Sequence, residues 1–126
     1  MPLTRIALRA GKPPEYRRAI LENVYRAMRE SFDVPADDFF MTVSQHDEDD
    51  FWFSADYLGI ARSADLVIIQ MTVSNTRSPD QKKALYRRIV DRLAAEPGIR
   101  PEDVFINLVE VPRENWSFGL GVAQYA

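Results

Sequence analysis

The chain contains no cysteine. That excludes disulfides, thiolate nucleophiles and thiolate metal sites. It contains one histidine, His46, next to the acidic run Asp47 to Asp50. There it reads as a surface residue rather than a catalytic one. The run itself lacks the spacing and the glycine of a calcium loop, so it reads as a solvated turn and no metal site is expected. No apolar stretch approaches the roughly 20 residues of a membrane span. The N-terminus lacks the apolar block of a signal peptide. A large excess of one sign of charge is also missing: the net charge is −3. Nothing there attracts nucleic acid or an anionic membrane in general. The expectation is one soluble, cytoplasmic domain over residues 1–126, long enough to bury a core.

What is present is an internal repeat. Residues 2–53 slide onto 67–118 without a gap, at an offset of 65. Pro14 then meets Pro79, Ala19 meets Ala84, Asp38 meets Asp103, and Phe40 meets Phe105. Phe51 and Phe53 meet Trp116 and Phe118. Two copies are too few for a solenoid but enough for a pseudo-twofold domain.

Each copy reads strand, helix, strand. Leu3 to Leu8 is an apolar-rich run, broken by Gly11 and two prolines. Pro14 suits the first turn of a helix, where a missing N–H costs nothing. Ile20, Val24, Met28 and Phe32 recur every four residues as an apolar stripe. Asp33-Val34-Pro35 ends that helix, and Phe39 to Gln45 is the next strand. In the second copy, Leu66 to Val73 is a nearly continuous apolar run. Ser78-Pro79-Asp80-Gln81 carries a capping box, with Ser78 as cap and Gln81 reaching back. Leu85, Ile89 and Leu93 form the second stripe, and Gly98 suits a left-handed residue after it. Val104 to Val111 closes the unit.

A strand–helix–strand unit of this length implies a right-handed crossover and a parallel pair. The fold class is therefore α+β: two tandem β-α-β units, a four-stranded mixed sheet, and both helices on one face. Ile6, Leu8, Ile68, Met71, Phe105 and Leu108 point to both faces of that sheet. No further helix covers the second face, so burial against other copies is expected. The connector 46–65, with Phe51, Trp52, Phe53 and Tyr57, reads as packed. A ferredoxin-like fold shares the same element order but would interleave the strands of the two copies.

Pro2 follows the initiator Met. Removal of Met1 would leave a secondary amine at the start of an apolar strand. The α-amino reference pKa is about 8, so a modest shift would allow acid–base work near neutral pH. Proline is also simply a good first residue for a strand. The repeat offers a test here. Pro2 pairs with Val67, so nothing in the repeat requires it. Asp38 is repeated by Asp103, which fits a structural turn residue as well as a catalytic one. Arg77 stands just before the second helix. Its cation and the helix start would converge on a carboxylate.

Taken together, Met1-Pro2-Leu3, Phe32-Asp33-Val34-Pro35 with Asp38, Thr42-Val43 with Gln45-His46, Arg77-Ser78 with Gln81-Lys82, and Asn115-Trp116-Ser117-Phe118-Gly119 resemble the tautomerase superfamily. The likeness is nearest the malonate semialdehyde decarboxylase group and covers essentially the whole chain. It implies a homotrimer with the terminal proline in a pocket and no cofactor. It implies that Pro2 and Asp38 are catalytic, that Arg77 grips the carboxylate of a small oxo-acid substrate, and that Trp116 and Phe118 form an apolar wall. Asn75 stands where the group has a second arginine and is a candidate substrate contact. A single Arg77 can still bind a carboxylate through two hydrogen bonds. The chain after Gly121 leaves room for only a short C-terminal contribution. Three functions follow as expectations. One is keto–enol proton transfer by Pro2. A second is decarboxylation or hydration of a three-carbon oxo acid with a cationic Pro2. The third is a non-catalytic oligomeric binding module.

Overall fold

The computed structural model describes residues 2–126. Met1, on whose removal the reading of Pro2 turns, lies outside the described residues. The elements in order are β1 (Leu3–Arg9), α1 (Pro14–Ser31), β2 (Phe40–His46), β3 (Val67–Ser74), α2 (Pro79–Ala95) and β4 (Val104–Val111). The strands form one sheet in the order β2-β1-β3-β4. β1 and β2 are parallel, as are β3 and β4, and the two halves meet through antiparallel β1 and β3. The copies therefore lie side by side, and the interleaved ferredoxin-like order is excluded. The offset of 65 extends even to the 3-10 turns that follow each half, Glu48–Asp50 and Arg113–Asn115.

Helix α1 begins at Pro14, and its stripe Ile20, Val24, Met28 and Phe32 is buried. It stops at Phe32, after which Asp33 takes a left-handed φ of 52°. Helix α2 starts with the expected capping box: the Gln81 N–H donates to Ser78 Oγ, and the Ser78 N–H donates to Gln81 Oε1. Leu85, Ile89 and Leu93 are fully buried. Removing any of these side chains to Ala should cost about 2–5 kcal/mol. Gly98, at φ 101°, donates its N–H to the Leu93 carbonyl beyond the helix end.

Alternation along the strands sorts the sheet's two faces. Ile6, Leu8, Val67, Ile69, Met71 and Val73 join the helices in the core, with Leu108 packed against it. Ile68 and Phe105 face the other way. On that second face Phe40 is 53 % exposed, Phe105 48 % and Val109 40 %. The connector is packed only in part. Phe51 is buried, whereas Trp52, Tyr57 and Leu58 stand in solvent. Among the described residues no helix is long and apolar enough to cross a membrane.

Candidate active site

Pro2 is buried at the head of β1. Continuing the strand register by one residue places it between Phe39 on the β2 side and Val73 on the β3 side. Asp38 comes from the tight turn ahead of β2. Its N–H donates to the Pro35 carbonyl at 3.2 Å, and Asp37 adopts a left-handed φ of 66° with its N–H on the Tyr25 hydroxyl. Asp38 is 7 % exposed, and neither carboxylate oxygen has a hydrogen-bond partner among the described residues. Burial pushes its carboxyl above the usual range, with Arg77 among the charges opposing that rise.

Arg77 leaves the loop between β3 and α2. Its Nη2 donates to the Phe32 carbonyl at 2.7 Å and its Nη1 to Thr76 Oγ1 at 3.3 Å. The guanidinium lies 4.9 Å from the Phe32 ring centre. Partial burial lowers its pKa, while Asp33 and Asp38 raise it. It stays charged, because an arginine's proton is lost only far above neutral pH.

Two recesses open beside these groups and share one wall residue, Tyr125. The first, about 370 Å³, is lined by residues of the 35–38 turn including Asp38, and by Phe40, Phe118, Gln124 and Tyr125. The second, about 270 Å³, is lined by Ser74, Thr76, Arg77, Arg113 and Tyr125. Larger hollows of about 550 and 590 Å³ run along α1 and β2 and contain none of Pro2, Asp38 or Arg77. The aromatic wall is continuous. Trp116 stacks on Phe118 at 5.4 Å, Phe118 meets Tyr125 edge-on at 5.1 Å, and the Trp116 indole N–H donates to buried Ser74 Oγ. Gln124 ties the C-terminal turn down, accepting from the Phe118 N–H and donating to the Gly119 carbonyl.

The structure thus gathers Asp38, Arg77 and Phe118 around the two recesses. Pro2 is buried beside them by register but lines neither. Trp116 braces the wall from behind. Asn75 is exposed and lines neither recess; its N–H donates to the Val111 carbonyl. Sequence reasoning missed Arg113 and Tyr125. A signal for Arg113 was available, since the repeat puts Glu48 at its place. His46 lies at the far end of β2, paired with Arg9 and stacked on Phe51. Among the described residues no cluster of His, Cys, Asp or Glu could hold a metal ion.

A family model described as "Tautomerase enzyme" matches residues 38–119. The chain is 39 % identical over 124 residues to the probable tautomerase YusQ of Bacillus subtilis (strain 168), covering 98 % of each. It is similar to a malonate semialdehyde decarboxylase whose structures are described as a basis for decarboxylase and hydratase activities. That match has a TM-score of 0.91 and 34 % identity, covering 98 % of this chain and 95 % of the other. A malonate semialdehyde decarboxylase inhibited by 3-bromopropiolate matches with a TM-score of 0.92 and 36 % identity, over 98 % and 93 % of the two chains.

Proposed function

The chain belongs to the family of tautomerase enzymes, and on that premise we propose that Pro2 transfers a proton at the carbon α to the carbonyl of a 2-oxo or enol carboxylate. Arg77 holds the carboxylate with donors left over from its bonds to Phe32 and Thr76. In the keto-to-enol direction the C–H bond breaks, its proton passes to the Pro2 nitrogen, and the carbonyl oxygen gains a proton from the Asp38 carboxyl or from water held there. The reverse direction uses the same groups. Asp38 is the second acid–base group. Phe118 and Tyr125 limit water in the recess, which strengthens the charge interactions within it. No cofactor enters this scheme.

The observation that carries the reading is the Asp38 carboxyl, buried without a hydrogen-bond partner among the described residues. Leaving a buried acceptor unmade costs about 1–3 kcal/mol. A turn residue with only a structural role has no reason to bear that cost, and a group reserved for substrate or water does. The test is turnover of an aryl enolpyruvate by wild type, Pro2→Ala and Asp38→Asn. Loss of about 10²-fold or more in the Pro2 variant is expected. Equal turnover by Pro2→Ala, or none by wild type, would favour a binding module without chemistry.

A second reading is decarboxylation or hydration of a three-carbon oxo acid with Pro2 cationic. The full-length similarity to malonate semialdehyde decarboxylases supports it. So does Asp38, because a neighbouring carboxylate favours the charged amine. Titrating the Pro2 nitrogen by ¹⁵N NMR separates the two. A pKa of about 6–7 marks a base, and one above the α-amino reference of about 8 marks an acid.

The protein is proposed to work as a homotrimer. The half-exposed Phe40, Phe105 and Val109 on the sheet face away from the helices support burial against further copies.

A further inference from the structure

Arg113 sits on the 3-10 turn after β4 and lines the same recess as Arg77. That turn is clamped at both ends to the loop carrying Arg77. On one side Ser74 pairs with Val111, and the Asn75 N–H donates to the Val111 carbonyl at 3.1 Å. On the other, the Trp116 indole N–H donates to Ser74 Oγ at 3.1 Å. Arg113 lies between the two clamps, one of backbone and one of side chains, which hold its turn beside the recess.

Neither guanidinium forms an ion pair among the described residues. Arg77 already commits a hydrogen on each terminal nitrogen. Arg113 donates no side-chain hydrogen bond among the described residues, so its fork is open. Two cations facing one small recess repel each other, and an anion between them relieves that repulsion.

The repeat supplies a control inside the same chain. The positions matching Arg77 and Arg113 in the first half are Lys12 and Glu48, of opposite sign. Lys12 is further neutralised by Asp65 at 2.9 Å. Of the two halves only the second carries the double cation, on the side where the Asp38 carboxylate has no hydrogen-bond partner among the described residues.

We propose that Arg113 is a second anion-binding residue, which with Arg77 forms a two-guanidinium seat for the substrate carboxylate and sets its affinity. This rests on the proposed function of the same site. It implies a preference for substrates whose carboxylate is unhindered enough to be gripped from two sides.

The test pairs steady-state kinetics on an aryl enolpyruvate with a calorimetric titration of malonate, an unreactive carboxylate probe. Arg113 is exposed, so Arg113→Gln leaves the fold intact. It is expected to raise KM and the malonate Kd by about tenfold or more with kcat little changed. Arg113→Lys should recover part of the loss, and added salt should shrink the difference. If Arg113→Gln leaves both constants unchanged while Arg77→Gln raises them, Arg113 is a solvated surface cation and the inference is overturned with the function intact. If Pro2→Ala and Arg77→Gln both keep full turnover, the function itself falls. The malonate arm, which needs no turnover, still decides for or against Arg113.

Discussion

Asp38 and Asp103 hold the same place in the two halves of the chain, and of the two carboxylates only that of Asp103 has hydrogen-bond partners among the described residues. Asp103 is buried and accepts from the Ser63 N–H and the Ser63 hydroxyl, both at 2.7 Å, and from Arg100 Nε at 3.2 Å. Asp38 is buried with both oxygens free among the described residues. Burial raises both carboxyls. At Asp103 the bonds from Ser63 and Arg100 outweigh it and hold the pKa below the usual value. At Asp38 burial wins. In the other half the connector supplies the partners: Ser63 bonds to Asp103, and Asp65 pairs with Lys12.

The two aspartates should therefore respond oppositely to the same change. Asp103→Asn leaves donors unmatched and should cost about 1–3 kcal/mol in urea unfolding. Asp38→Asn should leave stability unchanged or slightly improved and should lose activity.

Their pH dependences have opposite signs as well. Asp103, with a lowered folded pKa, contributes stability that is full above its unfolded pKa and is lost as pH falls through the folded one. Asp38, with a raised folded pKa, carries a penalty that is full above that pKa and disappears as pH falls to the unfolded one. Asp38→Asn should remove only the second effect from the stability–pH curve. If Asp38 acts ionised, the acid limb of the activity profile should lie above the ordinary carboxylate range and vanish in the same variant.

The fold was largely legible because the repeat, the two helical stripes and the capping box at Ser78 are local patterns. The side-by-side arrangement follows from two parallel crossovers meeting through β1 and β3. The connector was less legible. Phe51 and Trp52 are adjacent aromatics of similar hydrophobicity, yet one is buried and the other is 99 % exposed. The direction in which the chain leaves the 3-10 turn Glu48–Asp50 decides that, and composition does not. At the site, Asp38 and Arg77 could be located from neighbouring turns and caps. Tyr125 could not, because only the folding back of the tail through Gln124 brings it over Phe118.

Arg77→Lys is not a conservative change. A lysine offers three donors from one point and cannot lie flat on Phe32 while holding its carbonyl and Thr76. The expected result is a rise of about tenfold or more in KM on an aryl enolpyruvate, with the circular dichroism spectrum unchanged. A KM equal to wild type would remove Arg77 from carboxylate binding.

Trp116→Phe keeps the stack on Phe118 but removes the donor to Ser74, which is 6 % exposed. The orphaned hydroxyl should cost about 1–2 kcal/mol by thermal or urea unfolding. Adding Ser74→Ala removes the orphan and should restore most of the stability. It should not restore KM, because the clamp that places the Arg113 turn stays broken. A double variant with wild-type KM would show that the indole contributes packing alone.

Phe105 projects from β4 on the sheet face that the helices leave bare, next to Ile68 in the β3 register. Its ring is about half exposed, and Phe40 and Val109 share that face. Burying such surface is worth about 25 cal/mol per Å², and a carboxylate placed there must be desolvated or kept wet. Phe105→Glu should therefore favour the separated chain without disturbing the core, since the residue touches solvent on this side already. Light scattering after size exclusion should give three times the 14.5 kDa chain mass for wild type and the single-chain mass for Phe105→Glu. A wild type that runs as one chain at micromolar concentration would refute the trimer. A Phe105→Glu variant that stays trimeric would move the interface to another surface.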